Sequence, residues 1–130
     1  MPIAETDQRF YISGSTIPYA GNGLFAAVDL PAGSMLEVVG LCIEPGSITD
    51  TCTSWADEYK IRFGDMLIMP TGFAGMINHS ERPNLRKVTE NNLFYFRIEN
   101  AIPAGGELFF EYSHYAVNRF MNRESLINPS

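Results

Sequence analysis

The chain has 130 residues, of which 45% are hydrophobic, 12% aromatic and 18% charged; this composition fits one globular domain over 1–130 that folds without disulfides or a structural metal. Fifteen Asp and Glu against nine Lys and Arg give a net charge of −6, which argues against direct nucleic acid binding and favours a basic protein or peptide as partner. Apolar runs are broken by Gly, Pro or charge well short of the roughly 18 residues a membrane span needs, and the N-terminus carries Glu5 and Asp7 in place of a basic and apolar leader, so an intracellular protein away from membranes is expected, without distinction between cytoplasm and nucleus.

Residues 9–13 alternate as a strand that ends in the Gly14-Ser15-Thr16 turn, and Pro18, Gly21 and Gly23 keep the next stretch from being helical. Residues 24–28 read as a short apolar strand. After the Pro31-Ala32-Gly33 turn, residues 35–43 read as one strand, interrupted by Glu37 and Gly40. A polar loop is expected over 45–53. The stretch 55–63 is either a helical turn or a strand, because periodicity over so few residues does not decide. Residues 65–69 form a strand, Pro70-Thr71-Gly72 ends it, and 73–77 make one helical turn before the polar run 78–84. Leu-Phe-Tyr-Phe-Arg-Ile at 93–98 is the clearest strand, entered from Asn91-Asn92. Residues 102–106 end it, 108–112 make an aromatic strand, and 116–127 suit an amphipathic helix stopping before Asn128-Pro129. Many short strands separated by frequent turns mean a mostly β fold with few short helices.

Gly21-Asn22-Gly23-Leu24-Phe25-Ala26 fits a loosened dinucleotide fingerprint. Its mechanism requires a long helix immediately afterwards, and Pro31 and Gly33 leave no room for one. What survives is local: glycines let the backbone approach a small polar ligand closely, or simply make a turn. Asn78-His79-Ser80-Glu81-Arg82-Pro83-Asn84 concentrates donors and acceptors. Such a run suits recognition of an amino acid or ribose, and equally an Asx-type turn that satisfies its own backbone. His79 beside Ser80 lacks the nucleophile elbow of a hydrolase. His79 and His114 show no metal-binding spacing, and Cys42 and Cys52 form no paired zinc motif, so no metal is expected and the thiols are free and buried. Tyr59, Phe63, Tyr95, Phe96, Phe110, Tyr112 and Tyr115 belong mostly to a core, although clustered aromatics also wall a channel for an alkyl amine.

Three motifs stand in one order: Gly-Asn-Gly-Leu-Phe-Ala at 21–26, Asn-His-Ser-x-x-Pro-Asn at 78–84, and Ile-Pro-Ala-Gly-Gly-Glu-Leu-x-x-x-Tyr at 102–112. The ordered set resembles the SET-domain protein lysine methyltransferases, particularly the minimal viral type, and the likeness runs from about Phe10 to Phe120. The resemblance implies small curved sheets and a C-terminal pseudoknot in which the last strand threads under the segment carrying Asn78. It further implies S-adenosylmethionine as cofactor, held by Gly21, Asn22, Gly23, Asn78, His79 and Tyr112 and leaving as S-adenosylhomocysteine. By the same resemblance Tyr112 is the catalytic tyrosine and Tyr59, Phe110 and Tyr115 line the substrate lysine channel. Family members usually carry Cys where this chain has Glu81, and Asp where it has Glu111. The flanking cysteine clusters that close the channel in larger relatives are absent, so residues 113–128 or the second subunit of a homodimer take that role.

The implied reaction is methyl transfer to a lysine side-chain amine of a protein, a histone being one candidate. A lysine amine has an unperturbed pKa of about 10.4. An aromatic tunnel beside a positive sulfur lowers that value through desolvation and like-charge repulsion, so no strong protein base is required. Phe110, which lacks a hydroxyl, implies di- or trimethylation. The alternative is a SET-like module that binds a peptide or methyl-lysine without turnover.

Overall fold

Turn chemistry sets the first hairpin of the computed structural model, which describes residues 6–112. Strand β1 (Phe10–Gly14) pairs antiparallel with β2 (Asn22–Ala26), Tyr11 opposite Phe25 and Ser13 opposite Gly23. Two strands are expected from sequence here, but β2 starts at Asn22, so the glycine-rich motif beyond Gly21 is part of the strand and not a turn ahead of it. Residues 23–26 are all buried, since β2 is the inner strand, while β1 turns most of its length to solvent.

The single strand expected over 35–43 is two: β3 (Met35–Glu37) and β4 (Gly40–Ile43), in different sheets. The chain changes sheets between them, with Val38 N donating to Phe94 O at 2.7 Å and Thr71 N donating to Val39 O at 3.0 Å. Gly40 permits the change, because a Cβ there would overlap the backbone of Met69. The expected loop 45–53 contains a helical turn, α1 (Ile48–Cys52), started by the Ser47 side chain, which accepts from Asp50 N at 3.2 Å. Its Ile48 is exposed, so no apolar periodicity announced it. The undecided stretch that follows is both things in turn: a 3₁₀ helix (Ser54–Tyr59) and then β5 (Ile61–Phe63).

Strand β6 (Met66–Pro70) lies between β4 and β5. The helical turn expected after Gly72 is a 3₁₀ helix (Phe73–Met76), followed by the two-residue β7 (Asn78–His79). A strand missed in the sequence, β8 (Leu85–Glu90), pairs antiparallel with β9 (Leu93–Ile98), and β9 also pairs with β3. Asn91 and Asn92, at φ 51° and 62°, close the β8–β9 hairpin with the left-handed pair that matches strand twist. The aromatic strand expected over 108–112 shortens to β10 (Phe109–Phe110), which runs parallel to β7. Among the described residues the protein is thus a set of four small sheets with short helices, the mostly β arrangement anticipated. No helix there is long and apolar enough to cross a membrane. Both cysteines are free, yet exposed and not buried, because Cys42 lies on the outer face of β4 and Cys52 ends α1.

The sheets share one core in which Leu24, Phe96 and Leu108 are completely buried. From it a chain of rings leads outward, Phe63 to Phe96 at 5.9 Å, Phe96 to Phe110 at 4.7 Å, and Phe110 to Tyr112 at 4.8 Å. The segment 78–84 wraps around β10. Phe109 pairs with Asn78 on one side, and on the other Asn84 N donates to Phe109 O at 3.2 Å while Asn84 Oδ1 accepts from Phe109 N at 2.8 Å. The helix expected over 116–127 lies outside the described residues.

Candidate active site

The ring chain ends at Tyr112, which is half-buried against the core and flanked by Phe110 and by His79 at 5.0 Å. Its backbone N donates to His79 Nδ1 at 2.9 Å, which leaves the imidazole proton on Nε2. Its hydroxyl donates to Ile77 O at the long distance of 3.4 Å. Burial first, and the Glu58 carboxylate second, push the phenol above its ordinary value, so it is a neutral hydroxyl throughout the physiological range.

Beside it, the two motifs expected to face each other do so. Asn78 Nδ2 donates to Asn22 O at 3.0 Å and to Glu107 Oε2 at 3.2 Å. Glu107 is only 6% exposed and accepts three further hydrogen bonds: from Ser15 Oγ, Thr16 N and Thr16 Oγ1, each 2.7 Å. Gly23 is glycine for the same reason, since a Cβ would overlap the Glu107 carboxylate. Burial works to raise the Glu107 carboxyl, but the bonds from Thr16, Ser15 and Asn78 together outweigh it and hold it below the ordinary glutamate range. Gly21, at φ 74°, is exposed with open space where a Cβ would stand, and its carbonyl accepts from Ser15 N at 2.8 Å.

The sequence therefore brought together Gly21, Asn22 and Gly23 with Asn78, His79, Phe110 and Tyr112. Phe110 is a core ring wedged between Phe96 and Tyr112. Tyr59 is different: it is 55% exposed at the end of its 3₁₀ helix and, among the described residues, joins none of these ring contacts. Tyr115, His114 and the segment 113–128 lie outside the described residues. Sequence reasoning gave no role to three contributors, Glu107, Glu58 and Asn84, although Glu107 and Asn84 stand inside the motifs at 102–112 and 78–84. Within 78–84 the local turn is made by Ser80, whose Oγ accepts from Arg82 N at 3.0 Å, while Asn84 serves distant backbone groups at Glu107 and Phe109 and Asn78 and His79 face Asn22 and Tyr112.

The arrangement is a neutral, oriented hydroxyl in an aromatic setting next to a rim of peptide groups and one side-chain amide. Such groups suit a polar ligand that both donates and accepts hydrogen bonds, with an alkyl amine against the rings. No group of three or more His, Cys, Asp or Glu able to hold a metal ion is present among the described residues.

A family model described as the SET domain matches residues 21–113. No curated protein matches the chain by sequence. Among solved structures, it is similar to a humanized mutant of the Chaetomium thermophilum Polycomb Repressive Complex 2 bound to an inhibitor, with 23% identity and a TM-score of 0.68 over 80% of this chain and 15% of that one. It is also similar to the complex of that fungus in an autoinhibited conformation bound to S-adenosylmethionine, with 22% identity and a TM-score of 0.67 over 88% of this chain and 17% of that one. A third similar structure is a provisionally assigned histone methyltransferase of Plasmodium falciparum, with 20% identity and a TM-score of 0.59 over 84% of this chain and 96% of that one. The chain thus spans less than a fifth of the fungal chains and nearly all of the Plasmodium chain, and these likenesses are likenesses of fold.

Proposed function

This chain belongs to the SET-domain family, and from that premise we propose that it is an S-adenosylmethionine-dependent protein lysine methyltransferase acting on a basic protein or peptide. The observation that carries the reading is Tyr112: a half-buried residue with a neutral hydroxyl, set between Phe110 and His79 and next to the Asn78–Asn22 junction. The residues fit the cofactor. The exposed Gly21–Asn22 backbone, the Asn78 side-chain oxygen and the His79 backbone would meet its polar ends. When bound, S-adenosylmethionine supplies a methyl group on a positively charged sulfur.

The chain's own residues supply position and environment. The Tyr112 hydroxyl donates toward Ile77 O, so its oxygen is left to accept from the amine N–H and aim the nitrogen lone pair. Phe110 and Tyr112 exclude water, which favours the uncharged amine and so removes the need for a strong base. Their ring faces stabilise the methylated ammonium that forms. Holding nitrogen and methyl in line is the larger contribution, because it replaces a chance encounter with a fixed geometry.

Transfer of a labelled methyl group to a Lys-rich histone peptide is expected to fall about a hundredfold or more in Tyr112→Phe, the scale for removing one positioned polar group from an active site. An unchanged rate would reject the assignment of Tyr112, and failure of the wild-type chain to bind S-adenosylmethionine in calorimetry would favour a binding module without turnover. Because Phe110 brings no hydroxyl to its contact with Tyr112, the product is expected to be di- or trimethyl-lysine. In Phe110→Tyr the mass spectrum should shift toward monomethyl-lysine, and a wild-type product confined to monomethyl-lysine contradicts this part of the reading.

A further inference from the structure

We propose that Glu107 is the positioning residue of the cofactor site: its carboxylate fixes all three residues of the 21–23 segment. This inference rests on the function proposed above. Each residue of the segment is held through a different route that ends on the same carboxylate. Ser15 and Thr16 bind it directly, and Ser15 N in turn donates to Gly21 O at 2.8 Å. Asn78 Nδ2 spans from Glu107 Oε2 to the carbonyl of Asn22. Gly23 lies in direct contact with the carboxylate, which occupies the space a Cβ would take.

The pattern of donors explains why the group is a carboxylate and not an amide. Oε1 receives Thr16 N, which can only donate, and Oε2 receives Asn78 Nδ2, whose amide cannot turn over without giving up its bond to Asn22 O. A glutamine in either orientation turns its own NH2 toward one of those donors. One arm of the junction is then lost, and a donor gives up a hydrogen bond to a charged group.

Calorimetry with S-adenosylmethionine and S-adenosylhomocysteine on the full chain tests the proposal, with proton–nitrogen NMR spectra of the same samples. Glu107→Gln is expected to bind both nucleosides about tenfold more weakly, the scale of one hydrogen bond to a charged group. Its amide signals should shift over residues 14–24 and around 78, while those of the β8–β9 hairpin stay in place. Wild-type chain that binds neither nucleoside overturns the functional reading itself. If wild-type binds and Glu107→Gln stays within twofold of it, the functional reading stands and the role of Glu107 is overturned. Loss of S-adenosylmethionine alone also overturns it, because that marks a direct charge contact, and so do shifts spread through β8–β9, which mark a general core role. Should Glu107→Gln fail to fold, Thr16→Val removes one hydroxyl donor and keeps the N–H. About threefold weaker binding of both nucleosides then supports the proposal, and unchanged binding overturns it.

Discussion

Tyr112 and Glu107 lie within a few residues of each other but titrate in opposite senses, and the difference is hydrogen bonding. Both are desolvated. Tyr112 is raised by burial and by the Glu58 carboxylate, while Glu107 gains donors from Thr16, Ser15 and Asn78 and is lowered. The consequence for stability follows from linkage. An unfolded glutamate titrates near 4.3, and the folded carboxyl lies below that, so its contribution is fully present above the unfolded value and is lost as pH falls through the folded one. Urea unfolding of the wild-type chain is therefore expected to weaken with acidification below about pH 4.3, and Glu107→Gln should show a flatter dependence over the same window. Equal slopes in the two proteins would mean that Glu107 is not the linked group.

Among the elements, α1 and the 3₁₀ helix after it have little to hold them by themselves. They are a single turn and a short irregular helix, below the length at which helices persist on propensity alone. Lys60 joins them. Its Nζ is 2.7 Å from Asp50 Oδ1, 2.7 Å from Asp57 Oδ1 and 3.1 Å from the Asp50 carbonyl, which uses every donor of the ammonium. The Lys60 side chain is 1% exposed and that of Asp50 5%, so the pair is buried and not a surface bridge. Burial works to lower the Lys60 pKa, and the two aspartates reverse it, which keeps the ammonium charged. Lys60→Met removes the cation that both carboxylates share and is expected to cost about 3–5 kcal/mol, measured as a shift of the urea midpoint. A loss under about 1 kcal/mol, the worth of an exposed pair, would show that the junction is not buried in solution. The same junction sets the place of Glu58 and Tyr59 on the 3₁₀ helix.

At the level of the molecule, the decisive feature is that residues far apart in the chain meet around β10. The parallel β7–β10 pair joins positions 78–79 to 109–110, and the Asn84 side chain closes the far side by donating to Glu107 O at 2.9 Å and accepting from Phe109 N. Asn84→Ala leaves two backbone groups of that strand without their partners. It is expected to lower stability by about 2–4 kcal/mol in urea unfolding, the sum for two such groups, and to reduce methyl transfer as well, because the strand leads straight to Tyr112. A variant with wild-type stability would show that water replaces both bonds.

Much of this was legible in the sequence, and the reason is local. The hairpin of β1 and β2, strand β6, the helical turn after Gly72 and strand β9 depend on alternation, on glycine and proline, and on turn residues, all of which act over a few positions. The ordered motifs at 21–26, 78–84 and 102–112 also belonged to the sequence alone, and with them the family and the candidate residues that the fold brings together. Tertiary structure decided what depends on partners distant in the chain. It split 35–43 between two sheets because Val38 and Val39 bond to different neighbours. It made a helical turn at 48–52 because Ser47 caps it and Lys60 anchors it, and it left Tyr59 outside the ring cluster. It turned Glu107 from one acidic residue among fifteen into the junction of three segments. Local patterns fix the conformation of a residue and its neighbours, but a hydrogen bond across ninety positions exists only once the chain has closed.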